Sequence, residues 1–98
     1  KVAFQHCDVT DPKALEALMQ SAVDTFGGLD ILWNNAGSGG TSSSVEELDL
    51  EGYSFTMDLL LKSVFAGTHF AVPHMKARGG GSVINTSSIS AISGGALL

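Results

Sequence analysis

The 98-residue sequence predicts an α/β fold with a parallel sheet, and three observations support this prediction. Short apolar runs of strand length alternate with longer segments of helical period. Glycines separate the two kinds of segment, as they do where helices end. Polar side chains follow directly after the apolar runs. Such alternation is typical of a parallel sheet with helices on its faces, here as an incomplete βαβαβ portion.

The first half of the chain has the pattern of a strand, a helix and a second strand. We predict the first strand over residues 1–6, and Asp11 with Pro12 then suits the start of a helix. Helical spacing continues to Gly27-Gly28, with apolar residues at Leu15, Leu18, Met19, Ala22, Val23 and Phe26. The second strand is predicted over residues 29–34.

The second half repeats this order with a longer helix. A loop rich in glycine and serine over residues 36–44 precedes a long helical pattern over residues 50–77, which is apolar almost all round in its middle. Three glycines at 79–81 end it, and a third strand follows over residues 82–86 before a Ser/Gly-rich tail. Three strands do not complete a sheet covered on both faces. We therefore expect residues 1–98 to be the central part of a single domain that is truncated at both ends.

The composition excludes several classes of protein. An apolar share of 44% is typical of a globular domain, and a net charge of −5 argues against binding to nucleic acid or an anionic membrane surface. No run reaches transmembrane length. The one cysteine, Cys7, excludes an internal disulfide and favours a reducing, cytoplasmic location. The three histidines fit no metal-binding pattern, so no metal site is expected.

Polar residues follow each of the three predicted strands. They are Asp8-Val9, Asn35-Ala36-Gly37 and Thr86-Ser87-Ser88. The carboxyl ends of parallel strands meet at one edge of a sheet, where ligands bind, so we expect these residues to border one crevice. Taken singly, each has a plainer alternative: an ordinary turn for the Asn-Ala-Gly segment, helix capping for Asp8, and loop solubility for the serines.

In this order, four blocks of the sequence resemble the classical short-chain dehydrogenase/reductase family. They are Cys-Asp-Val-Thr-Asp (7–11), Leu-Asp-Ile-Leu-Trp-Asn-Asn-Ala-Gly (29–37), Lys-Ser-Val-Phe (62–65) and Gly-Ser-Val-Ile-Asn-Thr-Ser-Ser (81–88). The resemblance implies a three-layer αβα Rossmann-type fold that binds NAD or NADP. It also implies hydride transfer between the nicotinamide and a small alcohol or carbonyl substrate, and a homodimer or homotetramer formed through residues 50–77.

The resemblance further assigns roles to single residues. Ser88 matches the catalytic serine, which holds the substrate oxygen, while Ser90 and the loop over residues 37–44 would border the substrate pocket. Cofactor contacts fall at all three strand ends: Asp8 and Val9 at the adenine, Asn35, Ala36 and Gly37 beside the adenosine-side ribose, and Thr86 near the nicotinamide.

Some family features are absent or altered. These 98 residues lack three features of the family: the Gly-rich phosphate-binding turn, the residue that selects NAD or NADP, and the catalytic pair of tyrosine and lysine. Tyr53 does not match that tyrosine, because it precedes Ser88, and we interpret it as an aromatic side chain packed on the helix. Leu60 occupies the position of a family asparagine that holds a water of the proton relay, and leucine can neither donate nor accept a hydrogen bond. The alternatives are a slower enzyme, a non-catalytic nucleotide-binding or regulatory module, or a purely structural interaction piece.

Overall fold

A computed structural model describes residues 1–41 and 43–93. The elements are helix α1 (Pro12–Phe26), strand β1 (Ile31–Asn34), helix α2 (Leu50–Met57), a π-helical segment (Asp58–Lys62), helix α3 (Ser63–Ala77), strand β2 (Ser82–Asn85) and a 3₁₀ turn (Ile89–Ala91). The end of the predicted Ser/Gly-rich tail, Gly94-Gly95, lies outside the described residues.

Local sequence signals set both ends of α1. The Asp11 carboxylate accepts a hydrogen bond from the backbone N–H of Lys13 at 3.0 Å. At the other end, Gly27 adopts a φ of +90°, a left-handed conformation that glycine reaches without strain, and its N–H donates to the Val23 carbonyl. The prediction of an amphipathic helix over this segment is confirmed.

The two strands form a parallel pair in which Ile31 lies opposite Ser82 and Asn34 lies opposite Asn85. One face of this pair packs against α1 and α3, through a buried cluster of Met19, Leu32, Ala71 and Met75. This arrangement confirms the parallel sheet with helices. The opposite face carries Ile31, Trp33 and Ile84, which are more than half exposed among the described residues.

The predicted strand over residues 1–6 is wrong in this structure. The described part of the chain contains one sheet of two strands, and the first six residues take no part in it. Val2 and Phe4 are 93% and 92% exposed. A strand is stabilised by hydrogen bonds to a neighbouring strand, and no described strand pairs with this segment.

The helix predicted over residues 50–77 is helical throughout, but it is not one continuous α-helix. The carboxylate of Asp49 caps its start by accepting from the Gly52 N–H. Between α2 and α3 the hydrogen-bond pattern widens to a π-helix over Asp58–Lys62, the segment that contains Leu60. π-Helical turns often occur at functional sites because they re-aim side chains. Among the described residues, no helix is long and apolar enough to cross a membrane.

The end of α3 is joined to the start of β1 by an ion pair. Arg78 donates from Nε to Asp30 Oδ1 and from an NH2 nitrogen to Asp30 Oδ2, each at 3.1 Å. The bidentate geometry aligns the helix terminus with the strand. Asp30 also accepts a backbone bond from Ser82, so the ion pair lies where both strands begin.

Candidate functional site

The carboxyl ends of β1 and β2 are held together by side chains as well as by backbone. Asn34 Nδ2 donates to Asn85 Oδ1 at 2.9 Å and lies 3.4 Å from Thr68 Oγ1 on α3. Thr68 in turn donates to the Val64 carbonyl at 2.8 Å. These contacts tie both strand ends to α3 and thereby fix where the residues after each strand emerge.

A second set of hydrogen bonds lies one step further along the strands. The backbone N–H of Thr86 donates to the Asn34 carbonyl at 3.0 Å and extends the parallel pairing beyond β2. The Thr86 hydroxyl oxygen lies 2.9 Å from Trp33 Nε1 and 2.8 Å from Asn35 Oδ1. Asn35 and Thr86, which come from two predicted strand ends, are thus in direct contact.

Beside these contacts lies a cavity of about 420 Å³, here called the strand-end cavity. Leu60 and Val64 form its helical wall. The remaining lining residues follow the two strands: Asn34, Asn35, Ala36, Gly37 and Ser38 after β1, and Thr86, Ser87 and Ser88 after β2. Two of the three predicted strand ends therefore border one cavity.

Ser88 combines a fixed position with a hydroxyl that can donate. It is the N-cap of the 3₁₀ turn Ile89–Ala91, where its Oγ accepts the backbone N–H of Ser90 at 3.2 Å. That bond uses an oxygen lone pair, so the hydroxyl hydrogen stays available for an acceptor in the strand-end cavity. Ser90 contributes its backbone N–H to this cap.

The first predicted strand end lies apart from the strand-end cavity. Val9 lines a separate cavity of about 80 Å³, to which Asn35, Ala36 and Ser63 also contribute. The Asp8 carboxylate accepts the backbone N–H of Thr10 at 2.9 Å and the Thr10 hydroxyl at 2.8 Å. These two bonds lower the pKa of Asp8.

Asp8 is not the residue that caps α1, because the N-cap of this helix is Asp11. Asp8 instead orders the turn before that helix: its carbonyl accepts the backbone N–H of Asp11. The Cys7 pKa is raised by burial and by the neighbouring carboxylates, which keeps this thiol protonated.

Leu60 presents an apolar side chain where the sequence comparison with the family expects an amide. A Cβ placed on Gly37 would lie 3.3 Å from Leu60 Cδ2, so the absence of a side chain at Gly37 leaves room for the leucine. The wall of the strand-end cavity opposite Ser88 and Thr86 is therefore apolar at this point.

Sequence reasoning missed two contributors to this site. The sequence pattern assigns no role at this site to Val64, which falls in the apolar helical pattern, or to Trp33, which falls in the predicted second strand. The alternation of side chains along β1 was the available signal for Trp33, because it places Trp33 and Asn35 on the same face. Loop residue Thr41 is also tied to α2, since its N–H donates to Thr56 Oγ1 at 3.1 Å.

The described residues include no group of three or more His, Cys, Asp or Glu side chains that is suited to a metal ion. The polar side chains that line the strand-end cavity are neutral hydroxyl and amide groups, and they lie beside the apolar Leu60 and Val64.

The family model for short chain dehydrogenases matches residues 1–98, and the chain belongs to this family. It is 39% identical over 94 residues to a cyclohexanol dehydrogenase of Acinetobacter sp. (strain SE19), which covers 96% of this chain and 38% of that protein. It is 46% identical over 91 residues to a trans-4-hydroxycyclohexanecarboxylate dehydrogenase of Sinomonas cyclohexanicum, covering 93% and 34%. The resemblance found in the sequence is thereby confirmed.

Solved structures agree on the fold. The structure of NADH-dependent reductase A1-R' complexed with NAD matches with a TM-score of 0.87 and 40% identity, over 95% of this chain and 40% of that one. The parallel strands and helices described above are thus part of a Rossmann-type fold. The chain spans well under half the length of the relatives that it matches.

Proposed function

We propose that residues 1–98 are the central part of a single NAD(P)-binding domain in an oxidoreductase that interconverts an alcohol and a ketone or aldehyde. The observation that carries this proposal is the strand-end cavity, where Ser88 lies with Asn35, Ala36 and Gly37 around one space. The relatives support it, because they include dehydrogenases of cyclic alcohols and a reductase whose structure contains NAD.

The residues of this cavity fit part of a nicotinamide dinucleotide. Its volume of about 420 Å³ lies in the range of about 300–1,000 Å³ that is typical of small-molecule sites. Ala36 and Gly37 carry little or no side chain, so a ribose can approach the backbone. Asn35 and Thr86 supply polar groups, and Val9 lies beside Asn35 in the smaller cavity. A bound dinucleotide, NAD or NADP, would supply or accept the hydride.

Within this proposal, Ser88 holds the substrate oxygen. Its hydroxyl donates to that oxygen, and this bond strengthens as negative charge develops there during carbonyl reduction. The cap bond from the Ser90 N–H holds the Ser88 Oγ in place, so little reorganisation is needed. Leu60 adds an apolar side chain to the wall of the same cavity. Tyr53 lies half exposed on α2, and the proton is proposed to come from a tyrosine that lies outside these 98 residues.

The test uses the full-length protein and cyclohexanol as a probe substrate. We expect NAD or NADP to raise the melting temperature, and we expect Ser88→Ala to lower kcat by about 10²–10³-fold, as the loss of one such donor does elsewhere. Ser93→Ala is the matched control, since it removes a nearby hydroxyl that takes no part in the cavity. Full activity of Ser88→Ala would overturn the catalytic role.

Leu60 favours a second candidate function, a non-catalytic nucleotide-binding or regulatory module. This candidate predicts the same thermal stabilisation by a dinucleotide, because the proposed cofactor contacts at Asn35, Ala36 and Gly37 are the same for both functions. It predicts no turnover of any alcohol in a panel that includes cyclic and steroid alcohols. Stabilisation together with turnover would exclude it.

We also propose a cytoplasmic homodimer or homotetramer formed through residues 50–77. The support is a row of exposed apolar side chains on this segment, with Leu61 59% and Phe65 71% exposed and the Phe65 ring stacked on His69. Light scattering on the full-length protein tests the assembly. We expect Phe65→Glu to yield monomers, while Lys13→Glu on α1 leaves the assembly intact; a wild-type monomer would overturn the proposal.

A further inference from the structure

Trp33, Thr86 and Asn35 form a chain of hydrogen bonds across the two strand ends. Trp33 Nε1 lies 2.9 Å from Thr86 Oγ1, and Thr86 Oγ1 lies 2.8 Å from Asn35 Oδ1. The residues are far apart in sequence but meet because Trp33 and Asn35 share one face of β1 and its continuation, beside Thr86. Both distances are those of well-formed hydrogen bonds.

The direction of the chain follows from its two contacts. The indole N–H can only donate, so the Thr86 oxygen accepts from Trp33. A hydroxyl oxygen can accept twice but carries one hydrogen, and the Thr86 hydroxyl donates that hydrogen to Asn35 Oδ1. Asn35 therefore turns its carbonyl oxygen towards Thr86, and its NH2 group faces away from Thr86. Among the described residues, that NH2 group donates to no protein acceptor.

We propose that Trp33 is a positioning residue for the cofactor site, because it sets the orientation of the Asn35 amide. The orientation makes Asn35 a hydrogen-bond donor towards the strand-end cavity, where the matching ligand group is an acceptor such as a ribose hydroxyl oxygen. With the indole N–H removed, no bond from Trp33 holds the Thr86 hydroxyl in this orientation, so the hydroxyl can rotate and both orientations of the Asn35 amide become accessible. The inference rests on the proposed function, since it assigns a role within the same nucleotide site.

The test measures dinucleotide binding by the full-length protein, four single variants and the double variant with Trp33→Phe and Thr86→Val. Trp33→Phe keeps an aromatic ring and removes the N–H. Thr86→Val keeps the shape and removes the hydroxyl, whereas Thr86→Ser restores it. Tyr53→Phe on α2 is the control for loss of a polar atom from an aromatic side chain outside the chain of bonds. Each protein is titrated with NAD and NADP, and its KM and kcat are measured separately.

We expect Trp33→Phe to raise the dissociation constant and the cofactor KM by about three- to tenfold, as the loss of one hydrogen bond does. The change in kcat should be much smaller, because Ser88 is untouched. Thr86→Val should weaken binding at least as much, with Thr86→Ser recovering most of the loss. The double variant with Trp33→Phe and Thr86→Val should bind the dinucleotide no more weakly than Thr86→Val alone, because both substitutions act through one chain of hydrogen bonds.

The outcomes separate this inference from the proposed function. If the wild-type protein binds neither dinucleotide, both are overturned. If it binds one of them and Trp33→Phe binds equally well, only the role of Trp33 is overturned. The role of Trp33 is also overturned if Trp33→Phe lowers the melting temperature without changing the dissociation constant. It is likewise overturned if the effects of Trp33→Phe and Thr86→Val on the binding free energy are additive in the double variant. Should Trp33→Phe fail to fold, Thr86→Val decides: binding equal to that of the wild-type protein would overturn the inference, because the chain runs through the Thr86 hydroxyl, and weaker binding that Thr86→Ser restores would support it.

Discussion

Gly67 is the position where α3 approaches the end of β1 most closely, and Gly67→Ala tests that approach. A Cβ added at Gly67 would lie 2.6 Å from Asn34 Oδ1, whereas real Cβ contacts essentially never fall under 3.0 Å. The Asn34 side chain cannot easily move away, because its amide nitrogen donates to Asn85 at 2.9 Å. The substitution must therefore shift α3 or break the bond between the two strand ends.

Two effects of opposite sign decide the result. Alanine is favoured over glycine in a helix interior by about 1 kcal/mol. Overpacking of a well-packed contact costs about 1–3 kcal/mol, and breaking the bond between Asn34 and Asn85 costs about 1 kcal/mol more. We expect the second effect to win, with a net loss of about 1–3 kcal/mol in the free energy of unfolding.

Urea denaturation of the full-length protein, followed by circular dichroism, measures this loss. At a slope of about 2 kcal/mol per M, in the middle of the typical range, the urea midpoint should fall by about 0.5–1.5 M. Gly39→Ala is the control, because a Cβ there meets nothing within 4 Å, and it should change stability by less than about 0.5 kcal/mol.

A double variant tests the proposed contact itself. Once Asn34→Ala has removed the clashing atom, Gly67→Ala should cost much less than it does alone, so the two changes should be non-additive. The reasoning is refuted if Gly67→Ala is as stable as the wild type, or if its cost is the same in the Asn34→Ala background.

Three further predictions concern other parts of the molecule. The Thr10 N–H and hydroxyl lower the pKa of Asp8, so the stabilisation that the Asp8 carboxylate contributes should be complete above the ordinary pKa of 3.8 and lost as pH falls through the lowered pKa. An NMR titration of Asp8 should therefore show a midpoint below 3.8, and Thr10→Ala should raise that midpoint. Met75→Ala, in the buried cluster, should cost about 2–5 kcal/mol in urea denaturation, and an unchanged midpoint would contradict the packing described here. Leu60→Asn should raise kcat by restoring a polar group for the proton relay, and no gain in turnover would show that the leucine does not limit the enzyme.

The local part of the fold could be predicted from the sequence because its causes are local. Asp11 and Pro12 start α1, and Gly27 ends it, through contacts that span a few residues. The apolar runs that became β1 and β2 were also recognisable, since their length and residue types suit buried strands. The segment over residues 1–6 had the same type of pattern but forms no strand, because pairing depends on a neighbour that local sequence does not specify.

The candidate site shows the same division. That Asn35, Thr86 and Ser88 would approach one another followed from the rule that parallel strands end at one edge. The contact of the Thr86 hydroxyl with Asn35 required the actual register of the strands, with Asn34 opposite Asn85. Asp8 lies outside the strand-end cavity: the segment before it does not pair with the sheet of β1 and β2, and its carboxylate accepts from the adjacent Thr10.

By itself, the sequence determined the family, the alternation of helix and strand, and the residues at the strand ends, because these depend on residue type and spacing along the chain. Only the tertiary structure decided the π-helical turn that carries Leu60, the direction of the hydrogen bonds from Trp33 to Asn35, and the close approach at Gly67. The physical reason differs between them. The hydrogen bonds from Trp33 to Asn35 and the close approach at Gly67 join residues that are 30 or more positions apart in the chain. The π-helical turn is a change in helical hydrogen bonding that the apolar pattern of residues 50–77 does not encode.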